Sequence, residues 1–141
     1  GGVYRSDDGG QTWTGCNEGL FDDVHYLLPD PLDSSRVYAA TGGGFYISRD
    51  RGRKWTAHSG EPGEAYCTCL DAEFERGARD SVLVIATAAG PPATWEGSRG
   101  HAKARLLVSR DSGDTWEAFK TSTMGEKGAF TALATDRTAL Q

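Results

Sequence analysis

The sequence predicts an all-β chain of repeated units, each made of four short antiparallel strands. Three observations predict this. One octet, Ser-x-Asp-x-Gly-x-Thr/Lys-Trp, occurs three times. Glycine, with 19 of 141 residues, is at about twice the ordinary ~7%, as tight turns require. The apolar residues fall in short runs bounded by Gly, Asp, Ser and Pro, the pattern of strands joined by turns.

The octets are Ser6, Asp8, Gly10, Thr12 and Trp13; Ser48, Asp50, Gly52, Lys54 and Trp55; and Ser109, Asp111, Gly113, Thr115 and Trp116. In each, a strand such as residues 45–47 or 106–108 runs into Ser and Asp, whose short side chains bond nearby backbone N–H groups. The Gly two positions after Asp permits positive φ. Thr-Trp then opens the return strand, with an indole large enough to cover a neighbouring element. Trp13, Trp55 and Trp116 are therefore expected to be buried in equivalent surroundings. Lys54 in the second copy has no hydroxyl, so that turn should lose one contact and keep the rest.

The strands follow in order around these turns. Residues 1–14 supply the last two strands of one unit. Residues 24–57 make a complete unit, with strands at 24–30, 37–41 and 45–48 and a return strand after Trp55. Residues 65–120 make another, with strands at 65–72, 81–88, 104–109 and 115–120. Residues 129–141 begin a further unit, since 130–136 match 24–30 position by position. Trp13 to Trp55 is 42 residues and Trp55 to Trp116 is 61. The excess lies between the second and third strands of the later unit, as an insertion at 90–103.

These residues resemble the Asp-box, or BNR, repeat of the sialidase-like β-propellers. The resemblance implies a β-propeller segment of four-stranded antiparallel blades, with the Asp-box turn between strands C and D and a structural role for the box residues. A propeller closes with 4 to 8 blades, and the chain holds about three. It is expected to be part of something larger, also because residue 1 falls in mid-element without Met, or else to complete a ring by self-association. Blades without neighbours would expose apolar faces and favour association. The family geometry also implies that ligand sites lie on the face away from the boxes, in loops 15–23, 58–64, 90–103 and 121–128.

Those loops carry the candidate residues. A glycoside hydrolase needs two carboxylates flanking the scissile bond, and Glu18, Asp22 and Asp23 are candidates. His58, Trp95, Glu96, Arg99 and His101 are candidates for ligand binding, because a Trp beside charged groups suits sugar stacking; it equally suits a loop that anchors itself. The arginine-bearing Phe-Arg-Ile-Pro segment of the family's sialidases is absent, so sialidase activity is not expected. Asp-box, photosystem-assembly and sortilin-type propellers carry the repeat without hydrolysis. The leading expectation is a non-catalytic scaffold or binding segment presenting loops to a glycan or protein. The alternative is a sialidase-like or xyloglucanase-like glycoside hydrolase with some catalytic carboxylates outside this chain.

Composition narrows the partners. The net charge is −5 and no basic run occurs, which disfavours nucleic acid. No apolar run reaches the ~18 residues of a spanning helix. No targeting segment is legible, which leaves the compartment open. Cys16, Cys67 and Cys69 form no disulfide framework, and no four-ligand metal set or cofactor motif is present. In a regular strand Cys67 and Cys69 would share one face, as small buried residues.

Overall fold

The computed structural model describes residues 1–95, 101–119, 129–130 and 132–135. Among the described residues, ten strands form three antiparallel sheets. The first pairs β1 (Tyr4–Arg5) with β2 (Thr14–Gly15). The second runs β3 (Val24–Pro29), β4 (Val37–Thr41), β5 (Gly44–Ser48) and β6 (Thr56–Ala57). The third runs β7 (Tyr66–Glu73), β8 (Val82–Ala88), β9 (Arg105–Ser109) and β10 (Glu117–Ala118) in the same spatial order. A 3₁₀ turn, Pro92–Thr94, lies in the long β8–β9 connection. No helix among the described residues is long and apolar enough to cross a membrane.

The outer strands are shorter than the sequence predicts. Thr115 and Trp116 are expected to open a strand to residue 120, but the ladder begins at Glu117. Thr115 spends its N–H on the Asp111 carboxylate (2.8 Å), so it is not free for cross-strand pairing. Lys120 lies outside the described residues, as does most of 121–141. The described part of 129–135 forms no ladder. It lies along β7, where the Thr135 N–H bonds Asp71 Oδ2 at 2.6 Å.

The three octets fold alike. The Ser hydroxyl donates to the Asp carboxylate and accepts from the Gly N–H: Gly10 to Ser6 at 2.7 Å, Gly52 to Ser48 at 2.8 Å, Gly113 to Ser109 at 2.8 Å. The Asp then accepts the N–H four residues on, and also the hydroxyl of Thr12 or Thr115. Lys54 makes the backbone bond alone. The sequence implies one left-handed position per turn; the structure has two. Arg51 (φ 63°) and Ser112 (φ 57°) precede the left-handed glycines Gly52 and Gly113. Such a conformation is costly for a residue with a Cβ, and each is tied down by a bond to its own sheet: Arg51 N–H to Ser35 O at 2.7 Å, Ser112 N–H to Ser81 O at 3.1 Å.

These bonds favour the ionised Asp. The Thr12 hydroxyl and N–H, with Ser6, hold the Asp8 carboxyl down to about 2. The Lys54 N–H and Ser48 hold Asp50 low. At Asp111 burial acts the other way, and the bonds from Thr115 and Ser109 outweigh it.

Alternation along the central strands decides the packing. In β4, Tyr38 and Ala40 face the third sheet, where they meet Leu70, Leu83, Ile85 and Leu107, while Val37 and Ala39 face the first sheet with Val3 and Trp55. A strand covered on both faces needs apolar residues at every position, and 37–40 supply them. Both inner strands carry a bulge at the same register. Val24 pairs Thr41 and Tyr26 pairs Ala40; Cys67 pairs Thr87 and Cys69 pairs Ala86. An extra residue reverses the side-chain parity beyond it. The expectation that Cys67 and Cys69 share a face therefore fails. Cys67 packs in the core between the second and third sheets, while Cys69 Sγ contacts Phe130 O on the far side of β7. Burial pushes the Cys67 thiol up to about 12.

A buried carboxylate joins the second and third sheets. Asp30 accepts bonds from the Tyr38 hydroxyl, the Ser81 hydroxyl (2.7 Å) and the N–H groups of Leu32 (2.8 Å) and Asp33 (3.2 Å), with Arg36 at 3.5 Å. Tyr38 also reaches Ser112 O at 3.1 Å. Burial alone would raise the Asp30 carboxyl; these bonds outweigh it and hold it below the usual range. Burial, followed by the bond to Asp30, pushes the Tyr38 phenol up.

The octet tryptophans are not equivalent, contrary to expectation. Trp55 is 5% exposed and donates its indole N–H to Cys16 O at 2.9 Å, across the seam to the first sheet. Trp116 is half-buried, edge-on to Phe45 at 5.0 Å. Trp13 is 62% exposed. Trp13 and Trp116 bond back into their own turns, to Gly10 O and Gly113 O. Burial of the indole is conferred by the sheet next to it, and no described sheet lies against Trp13.

Three outcomes are expected. Asp30→Ala should lower unfolding free energy by about 3 kcal/mol, since it strips a buried charged acceptor from several donors, while Ser81→Ala costs about 1 kcal/mol; urea titration measures both. Trp55→Phe should lower the thermal midpoint, whereas Trp13→Phe leaves it unchanged. The lowered carboxyls of Asp8, Asp30, Asp50 and Asp111 contribute stability that is fully present above the ordinary carboxylate range and is lost as pH falls through their folded values, toward about 2 at Asp8. Circular dichroism on acid titration should thus show no loss above about pH 5 and progressive loss below it.

Candidate functional site

The ladder registers divide each sheet into two ends. The octet turns follow β5 and β9, so they lie at the ends of those strands marked by Ser48 and Ser109. At the other end, the start of β3, the 42–44 turn, the start of β7 and the mouth of the 90–103 connection come together: Val24 pairs Thr41, which pairs Gly44, and Tyr66 pairs Ala88.

Side chains gather there because small residues leave them room. A Cβ on Gly42 would stand 2.5 Å from Asp23 Oδ2, and one on Gly43 would meet the Phe21 ring. The Asp23 carboxylate thus occupies the space that a side chain at 42 would fill. Its Oδ2 lies 3.2 Å from His25 Nε2. At the β3 bulge the His25 ring crosses to the third sheet, with Nδ1 2.6 Å from Cys67 O and its centroid 4.8 Å from that of Tyr66. Tyr66 in turn meets Trp95 edge-on at 6.2 Å. Burial, and then the nearby Asp23 charge, push the Tyr66 phenol up. Glu61 and Arg105 form an ion pair that links the segment before β7 to the start of β9. The arrangement offers aromatic rings beside a carboxylate. Among the described residues, no three His, Cys, Asp or Glu side chains cluster to hold a metal.

The residues singled out in the sequence are dispersed. Asp23 and Trp95 reach this cluster. Trp95 also closes its own loop, with Nε1 2.8 Å from Gly90 O. Glu18 is drawn away to the seam between the first and second sheets, where it pairs with Lys54 at 2.9 Å. Asp22 is exposed and precedes the cluster. His58 turns elsewhere: it tilts on Phe45 at 6.1 Å and bonds Asp114 O at 3.0 Å, joining β6 to the third octet. His101 is half-buried beside Ala102, whose carbonyl accepts the Ala89 N–H at 2.7 Å. Glu96 and Arg99 lie outside the described residues, as does loop 121–128. Sequence reasoning did not single out His25 and Tyr66, which belong to this cluster. Their legible signal was position alone, at the start of an inner strand directly after a candidate loop.

Comparison with known proteins places the chain among propellers. The family model described as "Sortilin, neurotensin receptor 3" matches residues 1–138. An oligoxyloglucan-reducing end-specific xyloglucanase of Emericella nidulans is 33% identical over 72 residues, 45% of this chain. The crystal structure of an ancestral GH74 enzyme superposes with a TM-score of 0.64 over 89% of this chain, at 19% identity. The chain spans 9% of the length of the xyloglucanase and 16% of that of the GH74 structure. The four-stranded antiparallel sheets are blades of a β-propeller.

Proposed function

The chain belongs to the sortilin (Sortilin-Vps10) family, and from that premise we propose that it is a binding segment of a larger propeller protein, presenting the loop end of its blades to a glycan. In this reading residues 1–14 end one blade, 24–57 and 65–120 form two more, and 129–141 open the next. The octets are Asp-box turns that brace the opposite end. The observation that carries the reading is the grouping of Asp23, Tyr66 and Trp95 at the loop end, a carboxylate beside two aromatic rings. Pyranose rings stack on aromatic faces and their hydroxyls donate to carboxylates. The resemblance to an enzyme acting on oligoxyloglucan supports a polysaccharide over a protein as the ligand.

The same relatives favour a second reading, in which the whole protein is a glycoside hydrolase and this chain lends it a wall. Of the candidate carboxylates, Asp23 alone belongs to the aromatic cluster, since Glu18 is spent on Lys54. A hydrolase on this plan needs a partner carboxylate from another blade.

Affinity electrophoresis in xyloglucan tests the proposal. The wild-type chain should be retarded, and Trp95→Ala or Tyr66→Ala should each weaken retention about tenfold, the scale of one lost stacking platform. Unretarded migration of the wild type would refute the glycan reading. Hydrolysis by the longer protein that is abolished by Asp23→Asn would replace the binding reading with the hydrolase one.

A further inference from the structure

We infer that His25 is the positioning residue of this site: it fixes the Asp23 carboxylate of its own blade and is itself anchored across the seam, on Cys67 O and beside Tyr66 of the next blade. The inference rests on the glycan reading for what the carboxylate is used for, but its geometry stands by itself.

The bulge is the first observation. His25 and Thr68 occupy the same register, one residue past the Val24–Thr41 and Cys67–Thr87 pairs. Thr68 turns its hydroxyl to Ala86 O in its own sheet (3.3 Å). His25 instead leaves its sheet and meets the third at Cys67 O. A bulge re-aims a side chain in this manner.

The second observation is the pair of acceptors. A backbone carbonyl only accepts, so the contact at Nδ1 requires a proton there. A carboxylate also only accepts, so the contact at Nε2 requires another. Each contact thus calls for an N–H on its own ring nitrogen, and the ring lies tilted at 46° beside Tyr66, centroid to centroid 4.8 Å. The titratable neighbours that face the ring are Asp23 from the segment before β3 and Tyr66 from β7.

The third observation is the seat at Gly42. Asp23 Oδ2 rests where a side chain at 42 would be, and His25 holds the same oxygen. Among the described residues Asp23 Oδ1 and the Tyr66 hydroxyl have no protein hydrogen-bond partner, and the Asp23 side chain is 60% exposed, so its second oxygen is open to a ligand. Asp23 bears on the ligand directly, and His25 acts through it.

Two measurements on the chain test this. In ¹⁵N-histidine NMR at mildly acidic pH, His25 should show two protected ring N–H protons; Asp23→Ala should remove the one on Nε2 and leave the one on Nδ1. A single protected ring N–H in the wild type, or a spectrum unchanged by Asp23→Ala, would overturn the inference. With xyloglucan oligosaccharides as the probe, His25→Gln should weaken binding roughly tenfold, the size of one charge-assisted hydrogen bond, while Thr68→Val at the matching bulge leaves binding unchanged. Wild-type affinity in His25→Gln would also overturn it. Should the wild-type chain ignore the oligosaccharides while the ring protons behave as expected, the glycan reading falls and the positioning of Asp23 by His25 stands.

Discussion

The rest of the structure depends on one buried carboxylate. Asp30 sits where the β3–β4 turn, the Tyr38 side chain and the entry to β8 converge, and it accepts from all three. An uncompensated charge at that depth would be costly, and full satisfaction converts the same group into a bracket between two sheets. The bracket extends further. Ser81, which bonds Asp30, also anchors Ser112 through reciprocal backbone and hydroxyl contacts, and Ser112 is the left-handed residue of the third turn. Sheet packing and turn conformation are therefore stabilised by one connected set of bonds.

That coupling separates the two ends of the blades. At the octet end the polar side chains are consumed internally: Ser, Asp and Thr bond one another and their own backbone. At the loop end the space freed by Gly42 and Gly43 is filled by Asp23 and Phe21, from the segment before the same blade's inner strand, and His25 reaches the next blade. The candidate site is consequently a property of adjacent blades. Asp23 comes from before β3, Tyr66 from β7 and Trp95 from the insertion after β8, and their grouping requires the seam that Asp30 helps to hold.

The seams themselves are not uniform, although the repeat is. Between the first and second sheets an indole N–H reaches a backbone carbonyl, with an ion pair beside it at Lys54 and Glu18. Between the second and third, the corresponding Trp116 lies edge-on to Phe45, and the polar link passes to His58 and Asp114, with Arg49 pairing the Asp114 carboxylate at 3.2 Å. Lys54, where the other two octets have Thr, leaves that turn without a hydroxyl bond and supplies the cation for its seam.

What the sequence by itself determined was local. Three octets gave the turns and their hydrogen bonds, because those depend on residues within eight positions of one another. Glycine content and alternating apolar runs gave the all-β class for the same reason. Tertiary structure alone decided the burial of the three tryptophans, since the same indole is covered or bare according to the sheet beside it. It also decided the faces of Cys67 and Cys69, because a bulge is set by pairing with the neighbouring strand. Above all it decided the candidate site. His25 and Cys67 are far apart in the chain, and no spacing rule could bring an imidazole, a carboxylate and two aromatic rings together before the blades had packed.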